Sequence, residues 1–119
     1  MLRNPGTGGD PAGYPMSRYA APVTIELNGR RIFAKGSNWV NPELFFGVIT
    51  EERYEELITA AVDANMNIFR LWGGAGIQKD EFYEICDRLG IMVWQEFMLA
   101  CNNYVANPHY MAVLEREAT

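Results

Sequence analysis

The chain of 119 residues is poor in what several common functions need. It has one histidine, His109, and two cysteines, Cys86 and Cys101. Two cysteines are too few for a disulfide framework, and no Cys/His cluster has zinc spacing, so no metal or cofactor is expected. Both cysteines read as buried or half-buried thiols, and His109 as a surface residue ahead of a helix. No apolar run approaches the roughly 20 residues of a membrane span. Positive charge is also short. Ten Lys and Arg against 15 Asp and Glu leave a formal net charge of −5, which argues against a nucleic-acid partner. No basic start followed by an apolar stretch marks a signal peptide, and the compartment stays unassigned. The GTGGD run at 6–10 has no strand before it and no lysine after it, so it reads as linker, not as a phosphate loop.

What is present is an ordinary globular composition, 49% hydrophobic and 21% charged, enough for one small domain. Residues 1–22 carry most of the proline and read as an irregular lead-in; residues 23–119 carry the pattern of a fold. VTIEL at 23–27 alternates, Asn28-Gly29 is a strong hairpin turn, and RRIFAKG at 30–36 is the return strand. Ser37 to Trp39 either extends that strand or opens a loop. Pro42 to Ile49 reads as a loop with aromatics to bury. Thr50 caps a helix whose stripe is Tyr54, Leu57, Ile58, Ala61 and Val62. Its acidic residues, Glu51, Glu52, Glu55 and Glu56, read as a solvated face. The next strand, NIFRLW, ends in Gly73-Gly74. Asp80 then caps a second helix with Phe82, Ile85, Cys86 and Leu89 inward and Gly90 at its end. IMVWQEF at 91–97 reads as a strand buried on both faces, with Trp94 in the core. A third helix follows Pro108, with Tyr110, Met111 and Leu114 on one side. Alternating strands and helices predict an α/β fold with parallel strands.

One residue breaks the apolar pattern. Arg70 lies inside a strand that should be buried, and a buried guanidinium needs a partner. It predicts a carboxylate nearby, with the flat surface of Trp72 beside it.

Three runs in order, KGSNWV, NMNIFRLWGG and FYEICDRLGIMVWQEF, resemble family 2 glycoside hydrolases, most of all their β-mannosidase branch. Leu71-Trp72-Gly73-Gly74 stands where the galactosidase and glucuronidase branches carry a Ser-His-Tyr-Pro-like segment. Gly-Ala-Gly at 74–76 and Glu96, where many relatives have aspartate, depart from the branch. The resemblance implies a partial (β/α)₈ TIM barrel, its first three β/α units, preceded by a β-hairpin. Barrel active sites lie at the C-terminal strand ends, here Asn38-Trp39, Arg70–Trp72 and Glu96-Phe97. It further implies that Arg70 orients a nucleophilic carboxylate, that Trp72 walls a sugar subsite, and that Glu96, Asn38 and Trp39 line or brace it. The substrate implied for the parent enzyme is a β-linked saccharide.

Retaining hydrolysis uses two carboxylates roughly 5–5.5 Å apart. By resemblance the acid/base follows an asparagine at the end of strand four, and the nucleophile ends strand seven. Both positions fall beyond this chain, which therefore holds no catalytic residue and is expected to be inactive alone. Open sheet edges and uncovered inward side chains, Phe69 and Trp94 among them, imply self-association. The alternative function is a non-catalytic carbohydrate-binding or structural module derived from such a barrel. A downstream strand ending in Asn-Glu in the continued reading frame separates the two.

Overall fold

The computed structural model describes the backbone of residues 2–3 and the structure of residues 23–118. The GTGGD run lies outside the described residues. Leu2–Arg3 forms a two-residue strand, β1, antiparallel to β2, Val23–Leu27, so the lead-in is not irregular throughout. At the other side β2 pairs with β3, Arg30–Ile32, through Asn28 and Gly29, both at positive φ. This two-residue turn matches the twist of the strands it joins. The return strand is shorter than the sequence suggested. It stops at Ile32, and Gly36–Trp39 forms a separate strand, β4, in a second sheet.

That second sheet is parallel, in the order β4, β5 (Ile68–Leu71), β6 (Met92–Gln95). The connections are α1, Glu51–Asp63, and α2, Asp80–Leu89. The fold is therefore mixed α/β, in the element order expected. Thr50 caps α1 by accepting from the Arg53 N–H. The α2 cap differs: Lys79 is the N-cap, Asp80 is the first helical residue, and no side chain caps the turn. The Lys79 ammonium instead donates to the carbonyls of Gly47 and Ile49. Gly90, at φ 75°, ends α2 in the left-handed conformation that spares a side chain the clash.

Both helices pack on one face of the parallel sheet. Trp39, Phe69 and Leu71 from the strands meet Tyr54, Ile58 and Ala61 from α1 and Phe82, Ile85 and Cys86 from α2. Phe82 is the hub, with ring centroids 4.8 Å from Trp39, 5.6 Å from Tyr54 and 5.3 Å from Tyr83. Successive strand residues alternate faces. The residues between them, Asn38, Arg70 and Trp94, therefore point the other way, where no helix among the described residues covers them.

Four expectations are corrected by this arrangement. Trp94 is not core: it is 45% exposed, because β6 has one covered face, not two. Phe69 does not face the open side, since its parity sends it under α1 and α2. The 42–49 loop buries only Ile49; Leu44 is 92% exposed, and the 3₁₀ turn Phe46–Val48 buries nothing. The third helix, α3, runs Pro108–Glu117 with Asn107 accepting from the Tyr110 N–H, yet none of its residues is buried. Met111 is exposed; Tyr110, Val113 and Leu114 are half-buried. Among the described residues no helix is long and apolar enough to cross a membrane.

Candidate functional site

The register of the parallel sheet sets Asn38 beside Arg70 and Arg70 beside Trp94. All three lie on the uncovered face. Glu96 is two residues past Trp94 and joins the same side, and its N–H continues the ladder by donating to Leu71 O at 3.0 Å. The strand pattern thus delivers four side chains to one row from three distant parts of the sequence.

Arg70 is the centre of that row. Its Nε donates to Glu96 Oε1 at 2.7 Å, its Nη2 lies 2.6 Å from the same oxygen, and its Nη1 donates to Asn38 Oδ1 at 3.1 Å. The guanidinium carbon sits 5.8 Å from the Trp94 ring centroid, within cation–π range. The carboxylate that Arg70 demanded is therefore Glu96. The second Glu96 oxygen accepts from the Gly73 N–H at 3.2 Å. Both oxygens are engaged, which fixes the orientation of the Glu96 carboxylate. A groove of about 270 Å³ borders part of the row, lined by Asn38, Arg70 and Trp94 and, toward the hairpin, by Ile25 and Ala34.

Trp72 follows the end of β5 and folds over the turn. A Cβ on Gly74 would lie 2.2 Å from its ring, so only glycine leaves room for the indole there. Gly73 is equally confined: a Cβ would meet Leu99 O at 2.6 Å and Phe97 O at 2.9 Å. The Trp72 Nε1–H is buried with no hydrogen-bond partner among the described residues.

Of the five residues read as substrate-binding, the structure brings Asn38, Arg70 and Glu96 into direct contact and sets Trp72 over the adjoining turn. Trp39 does not join them. Its indole lies on the helix-covered face, 7% exposed, 5.1 Å from Phe69. The strand-end position was right, but its parity sends it to the core.

Sequence reading also missed two residues. Trp94 belongs to the row, and its register beside Arg70 was the available signal. Gln78 is a buried polar residue at 4% exposure, set in a turn whose sequence gives no sign of burial. Its Oε1 accepts from Trp39 Nε1 at 3.3 Å and Tyr54 Oη at 3.2 Å, and its Nε2 donates to Asn41 Oδ1 at 2.7 Å and Ala75 O at 3.1 Å. Among the described residues no cluster of His, Cys, Asp and Glu could hold a metal ion.

No protein-family model matches the chain. Its relatives are nonetheless clear. It is 47% identical over 95 residues to a β-mannosidase of Mus musculus, an alignment covering 80% of this chain and 11% of that protein. It is 39% identical over 95 residues to β-mannosidase B of Thermothelomyces thermophilus, with the same shares. Among solved structures it is similar to the β-D-mannosidase from Dictyoglomus thermophilum, with a TM-score of 0.76 and 42% identity over 80% of this chain and 12% of that one. The chain thus spans about a tenth of the length of the relatives it matches. The chain carries a β-mannosidase-like region, the branch of the family 2 glycoside hydrolases that its three sequence motifs resemble.

Proposed function

We propose that this region is the opening part of a (β/α)₈ barrel from a retaining β-glycosidase of family 2, mannosidase-like, and that it supplies part of the sugar-binding wall. The observation that carries the reading is the Asn38–Arg70–Glu96 row at the C-terminal ends of three parallel strands, in a chain with mannosidase relatives. Barrel enzymes place their chemistry at those ends. In-order strands with both helices on one face support the same architecture.

The chemistry of the row suits a pyranoside. Asn38 and Glu96 offer fixed polar atoms for hydroxyls, Trp72 and Trp94 offer flat apolar surface to sugar C–H faces, and Arg70 offers spare N–H groups to an incoming carboxylate. The reaction needs two carboxylates. The row holds one, Glu96, which cannot do both jobs, so the acid/base and the nucleophile are, by resemblance, assigned to polypeptide beyond these residues, and the chain alone is inactive. The lone carboxylate favours, as the second reading, a non-catalytic carbohydrate-binding or structural module. We also assign self-association to the isolated chain, because Phe33, Leu44, Phe45, Trp94 and Val105 remain exposed.

A chimera tests the first reading. Residues 23–118 replace the corresponding segment of the Dictyoglomus thermophilum enzyme, and turnover of a nitrophenyl β-mannoside is measured. Retained turnover that collapses with Arg70→Ala supports the wall; retained turnover indifferent to Arg70→Ala and Glu96→Gln removes it. Nitrophenyl-sugar turnover by the 119-residue chain itself would refute the assignment of both acids elsewhere. Size-exclusion chromatography tests association, against which a dilution-stable monomer would count.

A further inference from the structure

We infer that Gln78, acting with Tyr83, is a positioning residue that sets the Arg70–Glu96 pair, an inference that takes its functional meaning from the saccharide wall proposed above. Neither residue touches the row. Gln78 is inward of it, on the covered side of the sheet, and its amide is saturated: two acceptor sites and two donors, all in use.

Those four bonds reach three parts of the fold. Trp39 is the last residue of β4, Asn41 follows it, Tyr54 is on α1, and Ala75 is in the turn after β5. The turn is closed by the Ala75 N–H, which donates to Trp72 O at 2.8 Å. Holding Ala75 therefore holds the Trp72-Gly73 segment, whose Gly73 N–H grips Glu96.

A second path leaves from the backbone. The Gln78 N–H donates to Tyr83 Oη at 3.1 Å, Tyr83 Oη donates to Gln95 Oε1 at 2.8 Å, and Gln95 Nε2 donates to Glu96 O at 2.8 Å. One residue thus constrains Glu96 from two directions, through its carboxylate by way of Gly73 and through its carbonyl by way of Gln95. The tips of β4, β5 and β6 share a single polar anchor behind the site. The Gln78 end of this network is buried and its amide fully bonded, which fixes one geometry there because each alternative leaves a polar group unmet, whereas the Tyr83–Gln95–Glu96 end runs along the exposed edge of the sheet.

The test uses the 119-residue chain labelled with nitrogen-15, at matched association state. The Arg70 Nε–H signal reports its bond to Glu96. Tyr83→Phe deletes one hydroxyl and keeps the ring; Gln78→Leu deletes the amide at similar size. Each is expected to speed water exchange of the Arg70 Nε–H by about tenfold, the scale of one lost hydrogen bond, while core amides at Tyr54 and Ile58 keep their protection in Tyr83→Phe. A merely structural Gln78 would lower the melting temperature and leave Arg70 unmoved. Unchanged Arg70 exchange in folded Tyr83→Phe overturns the inference, and that variant decides alone should Gln78→Leu not fold. A separate arm adds methyl β-mannoside to the wild-type chain. Silence of the Trp72 Nε1–H and Arg70 signals there counts against the saccharide reading without touching the exchange result.

Discussion

The two faces of the β4–β5–β6 sheet are built from alternate residues of the same twelve positions, yet they obey different physics. The covered face carries Trp39, Phe69 and Leu71 and is filled by two helices. Its rings interlock around Phe82, and Gln78, the buried polar residue among the described ones, is fully bonded. The uncovered face carries Asn38, Arg70 and Trp94, polar or half-exposed, held by charge-assisted hydrogen bonds. Stability resides on the first face, and the recognition proposed above is assigned to the second. Period-two alternation is what separates them.

The sharpest way to break that comparison is a matched pair of truncations. Phe82→Ala empties a site of zero exposure and should cost about 3–5 kcal/mol. Trp94→Ala, on the other face, should cost about 1 kcal/mol or less, chiefly its contact with Arg70. Guanidinium denaturation of both variants checks this, and equal losses would mean that the faces are not distinct.

Arg70→Ala comes next. Its side chain is 39% exposed and that of Glu96 28%, so solvent screening keeps the stability loss near 1 kcal/mol. Turnover of the chimera should fall about 100-fold or more, because misplaced groups at a strand end disturb substrate geometry. A large stability loss with unchanged turnover would move Arg70 to the structural side.

The two thiols sharpen the contrast at smaller scale. Burial pushes Cys86 from 9.0 up to about 12, whereas Cys101, expected from sequence to be at least half-buried, is exposed in the loop after β6. One thiol should react with a disulfide reagent at pH 8 in the folded chain, and the second only after denaturation. The sign of the linkage follows. A raised folded pKa gives a contribution that is complete below the unfolded value of 9.0 and is lost as pH climbs toward 12. Alkaline melting curves of Cys86→Ser against wild type measure it.

The smallest effect belongs to the outer surface of the helices. Arg88 grips Glu55 and holds its carboxyl below the usual range. A lowered folded pKa adds stability above the unfolded value that disappears as pH falls through the folded one. Glu55→Gln should therefore lower the melting temperature slightly at pH 7, with the difference from wild type vanishing as pH falls through the folded pKa.

Much of the covered face was legible in the sequence. Helical spacing named Tyr54, Ile58, Ala61, Phe82, Ile85 and Cys86 as inward residues, and each is buried. Asn28-Gly29 and Gly90 marked their turns for the same reason, since backbone sterics act locally. Arg70 announced a partner because a charge inside an apolar strand has few alternatives. Less legible was whatever depended on parity across strands. Trp39 and Trp94 exchanged roles, since a tryptophan in a strand tip looks the same from sequence whichever face it takes. Gln78 was invisible because polar residues in turns are ordinarily solvated, and only the arrival of four distant partners makes this one interior.

The shared anchor behind the strand tips carries a lesson for change over time. Positions 39, 41, 54, 78, 83 and 95 meet through one amide and one phenol, so a substitution at any of them alters what the others can tolerate. Their effects should combine non-additively, and variation among relatives should come in sets. Drift on the far side of the sheet, where Ile25 and Ala34 line the groove, is free of that bond and can proceed one residue at a time.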